Sequence, residues 1–157
     1  MIILGIDPGF ADMGYGVVQL EKGNYSLVDY GVLTTGKQES VPVRLKIIYD
    51  GVSALLDKFK PEAVAVEQLY FFKNQKTVIT VAEARGAILV ALIEKCGRIY
   101  EYTPLQVKMA LTGYGRAEKG QIQQMVKTLL KLKEIPRPDD AADALAVALT
   151  CAHTIRI

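Results

Sequence analysis

Four acidic side chains in this sequence could together hold a divalent metal ion. Asp7 and Glu67 each end a short apolar run that is typical of a strand buried on both faces. Asp140 and Asp143 lie three residues apart in an alanine-rich stretch, so a helix there would present both on one side. Asp139 and Asp143 are four residues apart and could also share a face, so spacing does not choose between Asp139 and Asp140. Carboxylates gathered in this way repel one another, and a divalent cation would relieve that repulsion.

The ligand types available to such a site favour a hard cation. The sequence has one histidine, His153, and two cysteines, Cys96 and Cys151, without CxxC spacing. A structural zinc site is therefore poorly supported, and so is Cys-His or Ser-His-Asp catalysis. Oxygen ligands alone favour Mg²⁺ or Mn²⁺.

Each acid also has a purely structural interpretation. Asp7 is followed by a Pro-Gly pair and could simply cap the turn after its strand. Asp139 and Asp140 would suit the first turn of a helix, where negative charge complements the macrodipole. That explanation accounts less well for Asp143, which lies a turn further in among alanines.

The order of the predicted elements indicates an α/β fold. Three strands open the chain, and the second and third are joined by a hairpin turn at Gly23-Asn24. Alternating helices and strands follow, which implies one mixed five-stranded sheet flanked by helices and parallel in its later part. If the first and fourth strands are neighbours, Asp7 and Glu67 lie side by side at the strand ends where such sheets bind ligands. The later predicted elements are a helix from Ser40 to before Pro61, a strand over 63–66, a helix over 78–94, a strand over 98–102, and helices over 104–111, around 122–130 and over 139–152.

The helix predicted over 78–94 is rich in small residues, among them Ala84, Gly86 and Ala87. Small side chains let another backbone approach closely. We therefore expect this helix to lie either in the centre of the fold or between two copies of the chain.

Length and composition are those of an ordinary globular protein. The 157 residues suffice for one substantial core, so we predict a single domain over 1–157. The chain is 50% hydrophobic and 23% charged, which is usual for that class. It has no apolar stretch long enough for a membrane helix, and no basic leader precedes the first strand. With its isolated cysteines, this predicts a location in the reducing cytoplasm.

Positive charge is concentrated in the segment 104–137. That segment holds seven Lys or Arg residues against two Glu, a local net charge of +5 in a chain whose total is +2. A basic surface on an otherwise mildly acidic protein suits a phosphate-bearing partner. The commoner cause of such a count is an ordinary solvated helix face.

Several separate motifs, in order, resemble those of the RuvC family of bacterial Holliday-junction endonucleases, and the resemblance runs from Ile2 to about His153. The motifs are ILGIDPG at 3–9, GYGV at 14–17, VEQLYF at 66–71, EARG at 83–86, AEKGQ at 117–121 and DAADALAVALT at 140–150. This resemblance implies the fold of the ribonuclease H-like nucleases and integrases.

The resemblance also implies the site. The metal-binding acids of the family match Asp7, Glu67, Asp140 and Asp143, which favours Asp140 over Asp139. Two Mg²⁺ ions per active site are implied, with Mn²⁺ as a possible substitute. Six residues are implied or suggested as DNA contacts: Tyr70, Lys73, Lys76, Lys108, Arg116 and Lys119. Among them, Lys108 and Lys119 match family lysines near the scissile phosphate, and Tyr70 matches an aromatic residue able to stack on an unpaired base.

The implied activity is the resolution of four-way DNA junctions in recombination and repair. A homodimer would make paired symmetric nicks that leave 5′-phosphate and 3′-hydroxyl ends, in concert with a branch-migration complex of the RuvA and RuvB type, in the bacterial cytoplasm and away from membranes. The alternatives are a related nuclease acting on another nucleic-acid structure and a non-catalytic nucleic-acid-binding module. The presence of all four acids argues against a non-catalytic module, since a site that only binds phosphate would not bring negatively charged side chains together. An actin-like ATPase or sugar kinase opens similarly but needs a second, duplicated domain.

Overall fold

The computed structural model describes residues 1–68 and 75–155, with residues 75 and 76 described by their backbone alone. Within these ranges one five-stranded sheet forms the middle of the fold, in the order β3-β2-β1-β4-β5. The strands are β1 (Ile2–Asp7), β2 (Asp12–Glu21), β3 (Asn24–Thr34), β4 (Ala63–Glu67) and β5 (Ile99–Tyr102). The first three strands are antiparallel to one another, whereas β4 runs parallel to β1 and β5 parallel to β4. The predicted mixed sheet is confirmed.

The helices are α1 (Val41–Phe59), α2 (Gln75–Lys95), α3 (Pro104–Thr112), α4 (Lys119–Leu129) and α5 (Asp139–Thr154). Each lies where the sequence predicts one, because apolar residues recur at helical spacing and Pro or capping residues mark several of the starts. At α3, Thr103 and Gln106 form a reciprocal capping box. Among the described helices, none combines the length and the apolar character that crossing a bilayer would require.

The predicted hairpin turn is wrong by one residue. Lys22 and Gly23 occupy the turn with φ of +50° and +78°, and Asn24 instead pairs with Glu21 as the first residue of β3. Two successive residues with positive φ make the turn whose twist matches that of a hairpin. The Gly-Asn signal therefore marks the hairpin correctly but places its turn one residue too late.

The two faces of the sheet carry separate cores. Even-numbered residues of β1 and β4, such as Leu4 and Val66, pack with α1 and α2. Odd-numbered residues, such as Ile3 and Ala65, pack with α3, α4 and α5. Because successive side chains of a strand point to opposite faces of the sheet, an odd or even residue number tells which helices a side chain at the end of β1 or β4 faces.

Helix α2 packs on its own sheet through the small residue Ala84, which is fully buried in the core shared with α1. Gly86 lies on the opposite side, with open space where a Cβ would stand. The two small residues thus have different surroundings. Ala84 packs in the interior of the protein, whereas Gly86 is exposed.

Candidate active site

The carboxylates of Asp7 and Glu67 are brought together by the parallel pairing of β1 with β4. Ile6 lies opposite Val66 in that pairing, so the next residue on each strand is one of the two acids. Both acids have odd numbers and therefore face the side of the sheet covered by α5. Asp7 donates a hydrogen bond to Glu67 in this arrangement.

Helix α5 packs close to these strand ends because glycines of β1 and β2 lie against it. Gly14 pairs with Asp7 across β1 and β2, and a Cβ on Gly14 would stand 2.0 Å from the backbone oxygen of Asp140. At Gly5, a Cβ would stand 2.1 Å from the backbone oxygen of Ala144. Any larger residue would push the start of α5 away, so these glycines bring the acids of α5 to those of the sheet.

Burial and mutual repulsion perturb the acids strongly. Burial first, and then the charges of Glu67, Asp143 and Asp140, hold the pKa of Asp7 well above its usual range. Burial and the charge of Asp143 raise the pKa of Glu67 to about 7. Burial also raises the pKa of Asp143. Gathered acids that resist ionisation are what a divalent cation would stabilise.

Lys119, at the start of α4, supplies positive charge to this group. Its Nζ lies 3.0 Å from Asp143 Oδ2 and 3.3 Å from Asp139 Oδ2. Partial burial acts against the ammonium form, but hydrogen bonds to the two acids outweigh it and raise the pKa of Lys119. The hydrogen bond from Lys119 is the main cause that lowers the pKa of Asp139.

In the conformations described for residues 1–68 and 75–155, no three or more His, Cys, Asp or Glu side chains form a ready-made metal cage. Asp7 and Glu67 are instead hydrogen-bonded to each other, and Asp143 is paired with Lys119. The donor set fits a hard divalent cation, because it offers carboxylate oxygens in a half-buried, mutually repelling group.

A cleft of about 180 Å³ opens beside the acids. Glu67 and Asp143 line it together with the predicted DNA contacts Lys108 and Lys119. Arg116 is exposed in the loop before α4 and is not among the lining residues. The predicted contacts Tyr70 and Lys73, and the side chain of Lys76, lie outside the described residues.

The sequence did not predict a set of contacts that holds the loop after Asp7 in place. Arg44 of α1 donates from Nε to Thr35 Oγ1 at 2.8 Å, and its guanidinium carbon lies 3.8 Å from the centre of the Phe10 ring. Thr35 Oγ1 donates to the carbonyl of Phe10 at 2.7 Å, and the Thr35 amide donates to that of Ala11 at 2.8 Å. These contacts fix the turn between β1 and β2. No spacing rule could have found them, because they join three segments distant in sequence.

A second missed contact secures the chain just after Glu67. Glu101 of β5 pairs with Arg85 of α2 and accepts a 3.4 Å hydrogen bond from Gln68 Nε2. The Gln68 amide also donates to the Tyr102 carbonyl at 2.8 Å. Arg85 therefore makes an intramolecular contact, to β5.

Replacing Glu67 with glutamine is expected to stabilise the metal-free protein at pH 8. The folded state raises the pKa of Glu67 from an ordinary 4.5 to about 7, so it binds a proton that the unfolded chain releases. The stabilisation that the protonated Glu67 gives the folded wild type is therefore complete below about pH 4.5 and is lost as the pH rises through about 7. Glutamine cannot lose a proton, so the variant does not suffer this loss. Thermal unfolding in EDTA should give a Tm difference, variant minus wild type, that grows by several °C from pH 5 to 8.

The matched control is Glu134→Gln, which removes an exposed acid outside the site. A Tm difference for Glu67→Gln that stays constant with pH, as expected for the control, would contradict the electrostatic interpretation.

The sheet order, the helices on both faces and the acids at the ends of β1 and β4 define a ribonuclease H-like nuclease. Comparison with known proteins identifies the group within that class. The profile of the family "Crossover junction endodeoxyribonuclease RuvC" matches residues 3–151. The chain therefore belongs to the RuvC family.

Individual relatives agree with this assignment over nearly the full chain. The crossover junction endodeoxyribonuclease RuvC of Fusobacterium nucleatum is 56% identical over 150 residues, which cover 96% of this chain and 79% of the relative. The Thermus thermophilus RuvC structure superposes with a TM-score of 0.90 at 44% identity, covering 98% of this chain and 94% of the other. The structure of T. thermophilus RuvC in complex with a Holliday junction substrate gives 0.87 at 41% identity, with the same coverage.

Proposed function

We propose that this chain is a crossover junction endodeoxyribonuclease that resolves Holliday junctions during recombination and DNA repair. One observation carries the proposal: Asp7, Glu67 and Asp143 gather beside a cleft lined by Lys108 and Lys119, in a chain of the RuvC family. Acids suited to a divalent cation, next to lysines suited to phosphate, are the two requirements of metal-assisted phosphodiester hydrolysis.

The acids Asp7, Glu67, Asp140 and Asp143 are proposed to hold two Mg²⁺ ions, with Mn²⁺ as a substitute. When bound, such a pair activates water on one side of the phosphodiester and stabilises the leaving oxygen on the other. Lys108 and Lys119 bind the scissile phosphate and balance the charge that develops on it. The products are a 5′-phosphate and a 3′-hydroxyl, which can be religated.

The test is cleavage of a synthetic four-way junction beside a linear duplex of the same sequence, with Mg²⁺ or with EDTA. We expect Mg²⁺-dependent cleavage of the junction and little cleavage of the duplex. Equal cleavage of both substrates would favour a nuclease for another DNA structure. Junction binding without cleavage in any divalent metal would favour a non-catalytic binding module.

We further propose that the working unit is a homodimer, because a four-way junction presents two equivalent strands related by a two-fold axis. One active site per subunit then permits two matched nicks. Support comes from an exposed apolar stripe on α2, where Ile79, Val90 and Ile93 are 67%, 52% and 67% exposed and Gly86 offers open space. These residues recur at helical spacing on the side opposite Ala84, and a second copy of the same helix would cover them.

Replacing Ile93 with glutamate is expected to give a folded monomer whose two nicks are uncoupled. The carboxylate would be left desolvated in an apolar contact between the two copies, which is strongly unfavourable. Sedimentation velocity measures the assembly, and circular dichroism verifies folding. Val43→Glu, at an exposed apolar position of α1, is the matched control and should remain dimeric. If Ile93→Glu sediments as the wild-type dimer and resolves junctions normally, α2 is not the contact.

The resemblance to the family supports two further proposals. A branch-migration complex of the RuvA and RuvB type is the proposed partner at the junction, and the bacterial cytoplasm, where its DNA substrate lies, is the proposed location.

A further inference from the structure

Asp139 lies outside the set of four acids proposed to bind metal, yet three side chains converge on it, two of them from α4. Gln123 Nε2 donates to Asp139 Oδ1 at 3.1 Å, and Arg137 forms an ion pair with the same oxygen. Lys119 Nζ lies 3.3 Å from Asp139 Oδ2. Gln123 is only 6% exposed, so its amide is held in place by burial and directs Asp139 toward α4.

Lys119 therefore has two carboxylate partners of different kinds. Asp143, at 3.0 Å, belongs to the acid group and lines the cleft, while Asp139, at 3.3 Å, is not among the residues that line the cleft and its side chain is 43% exposed. A divalent cation that binds Asp143 must compete with the Lys119 ammonium for the same oxygens. Once displaced, a lysine without another partner would lose its orientation, because its long side chain has many rotamers.

We propose that Asp139 is a positioning residue that keeps Lys119 at the cleft when Asp143 is engaged by a cation. The inference rests on the proposed function and deepens it. With Asp139 in place, Lys119 pivots between two neighbouring acids and remains near the scissile phosphate. Without it, Lys119 either stays on Asp143 and opposes cation binding or leaves the cleft.

The test is a double-mutant cycle between Asp139→Asn and Lys119→Gln. Asparagine removes the charge but keeps an acceptor for Gln123. We expect Asp139→Asn to lower kcat for junction cleavage by roughly tenfold with KM unchanged, within the range for directly coupled residues. It should have no further effect in the Lys119→Gln background, and Asp139→Glu should restore most of the activity. Glu134→Gln, an equal charge change at an exposed position, is the matched control.

Calorimetric titration with MgCl₂ in the absence of DNA provides a readout independent of cleavage. Asp139→Asn should weaken Mg²⁺ binding several-fold, because Lys119 then depends on Asp143 alone, and Lys119→Gln should abolish that difference. Thermal unfolding measures any loss of stability from the Gln123 and Arg137 contacts.

The proposal is overturned if Asp139→Asn has the same effect on kcat and Mg²⁺ affinity with and without Lys119, or no effect on either. If the wild type does not cleave junctions, the proposed function fails, while the Mg²⁺ titrations still decide whether Asp139 acts through Lys119.

Discussion

Replacing Asp7 with asparagine is expected to reduce junction cleavage at least about 10³-fold while leaving junction binding intact. Asp7 is half-buried at the end of β1, where it contacts Glu67 and is repelled by the charges of Asp140 and Asp143. An amide there keeps the shape of the side chain but removes the charge that would hold a cation, so the transition state loses its main electrostatic stabilisation.

DNA binding should respond in the opposite direction. A neutral residue repels phosphate less than a carboxylate does, so Asp7→Asn is expected to bind the junction as tightly as the wild type or more tightly. Gel-shift titration in Ca²⁺ or EDTA measures this, and strand cleavage in Mg²⁺ measures the loss of activity. Asp139→Asn is the internal control, with its much smaller, roughly tenfold effect.

The same pattern should hold for Glu67→Gln, Asp140→Asn and Asp143→Asn. Full activity in Asp7→Asn would remove the basis of the metal assignment. Loss of binding together with cleavage in all four variants would indicate that these acids maintain the fold and do not act in catalysis.

Replacing Lys108 or Lys119 with alanine is expected to slow cleavage about 10²-fold or more, as for loss of an electrostatic group at the reacting phosphate. Both lysines line the cleft beside Glu67 and Asp143. Lys131 and Lys133 belong to the same basic segment but are exposed and do not line the cleft. Alanine at either of these two positions should change cleavage only through weaker binding.

Salt dependence separates the two effects. Junction affinity should fall steeply with salt, and each lysine that contacts a phosphate should contribute about one unit to the slope of log K against log[salt]. Single-turnover rates at saturating protein then report the cleavage step alone. Small, equal effects of all four substitutions on those rates would show that Lys108 and Lys119 have no special place in the reaction.

The sequence by itself determined which elements form and that β1 and β4 each end in an acid. Apolar runs closed by an acid predicted β1 with Asp7 and β4 with Glu67, and helical periodicity predicted α1 and α4. These are local signals, since the pattern of polar and apolar side chains among neighbouring residues specifies a strand or an amphipathic helix. The register of a tight turn depends on the φ angles of two residues, and there the prediction was wrong by one position, at Lys22-Gly23.

The tertiary structure alone decided how differently Asp139 and Asp140 are placed. Spacing left Asp139 and Asp140 equivalent, but Asp140 lies within electrostatic reach of Asp7, whereas Asp139 is held by Lys119, Gln123 and Arg137. That difference arises from where α4 packs against α5, and it involves residues up to twenty positions apart. Such contacts follow from the packing of whole elements against the sheet, so no pattern of neighbouring residues encodes them.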